Sequence, residues 1–202
     1  MQASGIQGSG GWVCPQHGPV LPLWRPRAAS YHAFAQHLRA ARGFPTLVPW
    51  PLRPGWGISD FAVVATPGTR PVATLTCSSG STELDGPVDV LVVTEEVGVG
   101  LGSRCAGLGG RDPGREFSTG PPVVRLRVGG QSVPLWAIST SGADEELDRT
   151  VLAGESEGRW LWLVLRPASA MLLLQDDWLL HDVSTVGAPL LELPFGGPPP
   201  AW

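Results

Sequence analysis

The pattern of apolar and polar positions predicts mostly short β-strands from residue 58 onward. Segment 122–128 gives the clearest signal, because its apolar residues alternate with two arginines and therefore lie on the opposite face of a strand. Gly129-Gly130 follows and leads into 131–138, a spacing typical of a two-residue hairpin turn. We therefore expect these two segments to form an antiparallel hairpin.

Six further segments are predicted strands, because they are rich in β-branched or aliphatic residues and are bounded by turn-forming or charged residues. The spacing predicts two more hairpins, one between 58–66 and 71–77 and one between 158–167 and 170–177. Trp160 and Trp162 share one face of their strand and leucines share the other, so we expect this strand to be buried on both faces. The predicted strands are 58–66, 71–77, 88–96, 158–167, 170–177 and 178–183.

The only convincing helical pattern covers residues 28–42, where Ser30 is placed to cap the N-terminus and Gly43 follows the C-terminus. Many short strands with one helix predict a mostly β fold, an antiparallel sandwich or rolled sheet with one short N-terminal helix. An α+β arrangement is the alternative. The expected organisation is a degenerate zinc-knuckle-like arm over 1–27, a helical linker over 28–45, a mostly β domain over 46–195 and a loose tail over 196–202.

The composition of the chain argues against two classes of protein, those that bind nucleic acid and those that span a membrane. The 202 residues carry a net charge of −4, and all 14 basic residues are arginine, so there is no basic excess for binding a phosphate backbone. No apolar run approaches the roughly 20 residues of a membrane-spanning helix. The three cysteines are an odd number at irregular spacing, which favours a reducing cytoplasm over a disulfide framework. We therefore expect a cytoplasmic protein with a protein partner, and neither nucleic acid nor membrane.

A glycine-rich loop follows the two glutamates that end strand 88–96. In a glycine-rich segment that follows a strand, backbone N–H groups can bind an anion. The alternating glycines of this loop match neither the dinucleotide-binding nor the P-loop spacing. The favoured interpretation is that the glycines let another element pack closely, and ligand binding is the alternative. Arg104 and the charged loop 111–115 either join such a site or lie in solvent. The candidate ligand-binding residues are Glu95, Glu96, Gly98, Gly100, Gly102 and Arg104.

Cys14 and His17 have the spacing of half a structural zinc site. Zinc needs four ligands, and Cys77 and Cys105 are far along the chain in strand or loop contexts. A site with two ligands lacks most of the binding free energy, so we expect these residues to bind no metal by themselves.

Four segments carry a resemblance to a known family: VPWPLRPGW (48–56), EEVGVGLGSRCAGL (95–108), PLW (134–136) and GRWLWLVLRP (158–167). Through them the chain resembles a family of actinobacterial proteins of about this length and of unknown function. The resemblance implies a cytoplasmic protein with a zinc-ribbon-like N-terminal segment that contains two ligand pairs. Only thirteen residues precede Cys14, and none is Cys or His, so zinc is expected only if the native N-terminus is longer.

The sequence contains no recognisable catalytic constellation and no cofactor fingerprint, but it is rich in Trp and Pro, which suit protein contacts. We therefore expect a non-catalytic binding or protein-interaction module without a cofactor. The alternative is a small-molecule or nucleotide-binding protein, or an enzyme, that uses Glu95-Glu96 and the loop Gly98–Gly102.

Overall fold

The computed structural model describes residues 12–14, 18–66, 70–114, 117–138, 148–175, 178–186 and 192–202. Twelve β-strands and two α-helices lie in these ranges. The strands are β1 (Trp12–Cys14), β2 (Gly18–Val20), β3 (Leu23–Trp24), β4 (Leu47–Trp50), β5 (Gly57–Ala65), β6 (Pro71–Thr82), β7 (Gly86–Glu95), β8 (Val124–Val128), β9 (Gln131–Ala137), β10 (Thr150–Ser156), β11 (Arg159–Arg166) and β12 (Leu179–Asp182). The helices are α1 (Tyr31–Ala40) and α2 (Leu101–Cys105), with 3-10 helices at Ala168–Gln175 and Val183–Thr185.

Ten of these strands form one sheet in the order β3-β5-β6-β7-β11-β10-β9-β8-β12-β4, and β1 and β2 form a separate hairpin. The pairs within the large sheet are antiparallel except for β8 and β12, which run parallel. The predicted mostly β fold is therefore confirmed, with a sheet that is mixed because of this one pair. The part of the chain that is described has no helix of the length and apolar character needed to cross a membrane.

The sheet rolls, because its edge strand β4 lies across the middle of the sheet. The Thr76 hydroxyl on β6 donates to the carbonyl of Leu47 at 2.5 Å. The neighbouring Thr74 hydroxyl donates to the carbonyl of Pro45 at 2.6 Å. Side-chain hydroxyls thus make the contact between these strands, and the strand ladder does not close into a barrel.

Strand alternation creates a separate apolar core on each face of the central strands. On β11, Leu161, Leu163 and Leu165 pack into the first core face, with residues from β7, β8, β9 and β12. Trp162 and Val164 pack into the second core face, with residues from β5, β6 and α2. The sequence prediction that this strand is buried on both faces describes its structure correctly, since Trp162 and these leucines have no exposed surface.

The hairpin predicted between 158–167 and 170–177 is wrong, because β11 pairs instead with β7 and β10. Residues 168–175 form a 3-10 helix, in which Ala170 and Leu173 share a face and are buried in the first core face. Strand β10 was not predicted, since Gly154 weakens its strand pattern. A Cβ at this position would lie 2.2 Å from the carbonyl oxygen of Pro134, so close packing against β9 requires glycine.

The N-terminal region is tied to the large sheet. Leu23 and Trp24 of β3 pair with Val64 and Val63 of β5. The predicted cap of α1 is present, since the Ser30 hydroxyl accepts a hydrogen bond from the Ala33 amide at 3.2 Å. Helix α1 packs against β5, and the division of the chain into arm, linker and domain stays a prediction.

The tail, residues 196–202, was predicted to be loose, and the structure differs. The indole of Trp202 donates to Asp60 at 2.8 Å, and Arg166 donates to the carbonyl of Ala201. Glycine and proline content suggested a loose segment, but groups on β5 and β11 hold this one through side chains that sequence spacing does not reveal.

Candidate functional site

The glycine-rich loop begins where β7 ends at Glu95. This strand lies between β6 and β11 in the centre of the sheet, so its last side chain has no exposed surface. Glu95 Oε2 accepts a hydrogen bond from the Leu101 amide, the first amide of α2, at 2.6 Å. The position where a bound anion would meet the helix N-terminus is therefore filled by a carboxylate of the protein itself.

Burial raises the pKa of Glu95 to about 7, because a carboxylate without water is poorly solvated. The amides of Leu101 and Gly102 and the side chain of Trp162 lower this pKa, and the Asp112 carboxylate raises it. Near neutral pH the group is therefore close to half protonated, although it is sealed beneath α2.

The three predicted glycines of the loop differ in their surroundings. At Gly102 a Cβ would lie 2.2 Å from Cδ1 of Trp162, so this glycine lets α2 lie directly on the indole. Gly100 has a φ of +81° at the start of α2, and a Cβ there would lie 3.2 Å from the Arg111 side chain. The Gly98 amide donates to Asp112 Oδ1 at 2.8 Å. Close packing therefore accounts for Gly102, and the positive φ together with the nearby Arg111 side chain accounts for Gly100.

A cavity of about 290 Å³ opens beside the same loop. It lies between the loop, the start of α2 and the outer strands of the sheet. Two of the candidate glycines and Arg104 border it, whereas Glu95 and Glu96 do not. The described residues around it are Leu21, Leu23, Val64, Gly98, Val99, Gly100, Leu101, Arg104, Leu108, Gly109, Gly110 and Arg111.

In the described part of the chain, the charged groups bordering the cavity are both arginines. Arg111 donates to the carbonyl of Gly98 at 3.5 Å, and its stem crosses the loop at Gly100. Among the described residues, no carboxylate lies within ion-pair distance of either guanidinium. The nearby acids have other partners, since Glu96 pairs with Arg70 and Asp112 binds the Gly98 amide.

The opposite wall of the cavity is apolar. Leu21, just before β3, and Leu23 in β3 keep 37% and 38% of their surface exposed, so they present an apolar surface at the cavity. Val64 of β5 pairs with Leu23 and lines the same wall. Sequence reasoning missed these residues, since they are distant along the chain from the loop and no motif joins them.

One serine hydroxyl, shared between two carbonyl groups, holds the loop that carries Arg111. The Ser103 hydroxyl on α2 lies 3.2 Å from the Leu108 carbonyl and 3.1 Å from the Gly110 carbonyl. On the far side of this loop, the Trp160 indole donates to Asp112 at 2.8 Å. Arg111 therefore lies on a loop segment that hydrogen bonds hold on both sides.

The predicted zinc half-site cannot be assembled from the described residues. Cys14 lies in β1, and His17 lies outside the described residues, so their pairing stays a prediction. Cys77 and Cys105 are free and buried, in different elements. Burial raises the pKa of the Cys77 thiol to about 12 and also raises that of Cys105, so both remain protonated.

The described residues contain no group of three or more His, Cys, Asp or Glu side chains placed to hold a metal ion.

Comparison with curated proteins gives no significant match, and comparison with solved structures gives none either. A family of unknown function, DUF6758, matches residues 2–202. This match confirms the resemblance to an uncharacterised family, and because it covers nearly the whole chain, the protein belongs to the DUF6758 family.

Proposed function

We propose that the protein is a non-catalytic binding module and that its ligand occupies the cavity beside the glycine-rich loop. The ligand is a small molecule that combines one anionic group, a carboxylate or a phosphate, with an apolar portion. One observation carries this proposal: two arginines that have no carboxylate partner among the described residues border the same cavity of about 290 Å³ as an exposed leucine wall.

The charge requirement follows from the arginines. Arg104 and Arg111 are exposed guanidinium groups in a protein with a net charge of −4, so they create a local positive site on an acidic molecule. A guanidinium presents several donors in a fixed plane, which suits the oxygens of carboxylate and phosphate. Both arginines are solvated, and we therefore expect moderate rather than tight binding.

The apolar requirement follows from Leu21 and Leu23. A ligand with an alkyl or aromatic portion would remove their exposed surface from water, which contributes about 25 cal/mol for each Å² that is buried. The cavity is at the lower end of the usual range for small-molecule sites. A compact ligand therefore fits better than a nucleotide.

The absence of a catalytic role is supported by the location of Glu95. Its carboxyl has the pKa of a general base near neutral pH, but it has no exposed surface and is bonded to the Leu101 amide. A general base must reach the proton that it removes, and Glu95 does not border the cavity. We therefore assign it a structural role.

Isothermal titration calorimetry with straight-chain carboxylates and alkyl phosphates tests the proposal. We expect saturable binding whose affinity rises with chain length, because a longer chain covers more of the leucine wall. Alcohols and amines of the same length lack the anion, and we expect them to bind at least about tenfold more weakly, equal to ~1.4 kcal/mol.

A charge-matched pair of variants locates the site. Replacing Arg104 and Arg111 together by Gln should weaken binding about tenfold or more, since hydrogen bonds to charged groups contribute about 1.5–3 kcal/mol. Replacing Arg125 and Arg127 by Gln removes the same charge from exposed positions on β8 and should leave affinity unchanged. Equal loss in both variants, or no saturable binding of any of these anions, would overturn the proposal.

We further propose that the protein works in the cytoplasm, has a protein partner and does not bind nucleic acid. Free Cys77 and Cys105 support a reducing compartment, and the net charge of −4 opposes binding to a phosphate backbone. A crosslinking experiment in cells that express the protein tests for the partner, and filter binding at moderate salt tests for nucleic acid.

A further inference from the structure

The side chain of Trp202 occupies a site that recognises both its ring and its N–H group. The indole Nε1 donates to Asp60 Oδ2 at 2.8 Å, and the Arg25 guanidinium carbon lies 4.3 Å from the ring centroid. Asp60 keeps only 2% of its surface exposed. The indole is therefore held by a buried carboxylate on one side and by a cation–π contact on a ring face.

The residues that precede Trp202 are held through their carbonyl groups. Arg25 donates to the carbonyl of Pro200 at 3.1 Å, and Arg166 donates to the carbonyl of Ala201. The three consecutive prolines 198–200 have no backbone N–H group and can only accept hydrogen bonds. The arginines supply donors to two consecutive carbonyl groups, so the site binds backbone acceptors as well as tryptophan.

The recognising groups are fixed by contacts with the body of the protein. Arg25 and Asp60 form an ion pair at 2.7 Å, and Asp60 also accepts from the Phe61 amide at 2.9 Å. Arg166 donates to the carbonyl of Cys105 at the end of α2 at 3.2 Å. Because these contacts do not involve the tail, we expect the site to keep its geometry when the tail leaves and to bind without reorganising.

Two glycines join the tail to the sheet. The Gly196 amide donates to the Ile58 carbonyl at 3.0 Å, and this bond marks the last backbone contact with β5. Gly196 and Gly197 have φ values of +142° and +95°, a region that glycine adopts readily. Pro198 and Pro199 are exposed, so the segment beyond the glycines depends on the contacts of its last three residues.

We propose that Arg25, Asp60 and Arg166 form a peptide-binding groove, that the tail is its resident ligand, and that a protein partner displaces the tail with a proline-rich segment carrying tryptophan. The partner's segment has the chemistry of the tail itself: prolines that offer carbonyl groups, followed within two residues by tryptophan. This groove lies apart from the cavity, and the described lining of the cavity includes none of its three residues.

The test uses a fluorescently labelled peptide with the sequence GGPPPAW and the full-length chain. In the wild-type protein the tail competes at an effective concentration in the millimolar range, so the peptide should bind weakly. Trp202→Ala removes the tail's anchor, and fluorescence anisotropy should show affinity at least about tenfold higher than in the wild type, equal to ~1.4 kcal/mol. A peptide in which alanine replaces the tryptophan should not bind.

Arg166→Gln in the Trp202→Ala background should weaken peptide binding, whereas Arg125→Gln should not, because β8 is outside the groove. Trp202→Phe weakens the anchoring of the tail less than Trp202→Ala does, since it keeps an aromatic ring and loses only the hydrogen bond to Asp60. Absence of saturable binding in folded variants, or equal binding of the alanine peptide, overturns the proposal. It is also overturned if both Trp202 variants fail to fold, because the tail would then be part of the core. None of these outcomes depends on binding of anions to the cavity.

Discussion

Gly102 lies against the face of the Trp162 indole, so that a Cβ at Gly102 would sit 2.2 Å from Cδ1 of the ring. This contact places α2 directly over the central strand β11 and brings the helix N-terminus to the Glu95 carboxylate. The glycine-rich loop therefore has two sides. One side is packed against the second core face, and the other borders the cavity.

Gly102→Ala should destabilise the protein by about 1–3 kcal/mol, because neither the buried indole nor α2 can move without disturbing the core. Urea unfolding followed by tryptophan fluorescence measures this change. Gly109→Ala is a matched control in the loop that follows α2, since a Cβ there meets nothing within 4 Å and its φ is not positive. We expect the control to change stability by less than about 1 kcal/mol. Equal destabilisation by both substitutions would show that the indole contact is not responsible.

Glu95 should make the protein less stable as pH rises from 4.5 to about 7. Its pKa is 4.5 in the unfolded chain and about 7 in the fold, so in this range the folded state holds a proton that the unfolded state has lost. Unfolding stability then falls with pH, by about 3 kcal/mol over the whole range. Glu95→Gln resembles the protonated form and should equal the wild type at low pH and exceed it at pH 8. Parallel pH profiles for the two proteins would contradict this account.

His37 should act in the opposite direction. The ring is buried between α1 and β5, stacks 5.6 Å from the Phe34 ring and lies 3.2 Å from the Thr46 hydroxyl. Burial lowers its pKa from 6.5 to about 4, so between these values the unfolded chain binds a proton that the fold excludes. Stability is then fully present above pH 6.5 and is lost as pH falls toward 4.

The two effects oppose each other between pH 4.5 and 6.5, so variants are needed to separate them. Chemical unfolding of Glu95→Gln across this range isolates the histidine, and stability should rise with pH by about 2 kcal/mol. His32→Gln on the exposed face of α1 is the control and should leave that slope unchanged. A flat profile in the Glu95→Gln background would rule out the proposed effect of His37.

Thr76→Val should destabilise the protein by about 1–3 kcal/mol, because it leaves the buried carbonyl of Leu47 without the hydroxyl that joins β4 to β6. Thr66→Val is a matched control, since that hydroxyl donates to the Arg70 carbonyl at 3.3 Å in an exposed hydrogen bond. Hydrogen exchange should show faster opening of β4 in Thr76→Val. Unchanged protection of Leu47 and Val48 would mean that the hydroxyl does not hold the edge strand.

Several features of the protein are fixed by neighbouring residues, and the sequence by itself determined them. Ser30 caps α1 within three residues of its own position. Gly129 and Gly130 have φ values of +55° and +86°, the geometry of the predicted two-residue turn, and they join β8 to β9 in the expected register. Alternation in β11 separated Trp162 from the leucines on the opposite face. These interactions are local, so short sequence patterns report them.

Only the tertiary structure decided the pairing of distant segments. Residues 168–175 are apolar enough for a strand, yet they coil as a 3-10 helix because β7 and β10 already occupy both edges of β11. The cavity combines Arg111 with Leu21, which lie ninety positions apart in the sequence, and the tail groove combines Arg25 with Trp202 in the same way. Contacts of this kind depend on how the sheet rolls, because strand alternation specifies which face a residue lies on but not which distant residue it meets there.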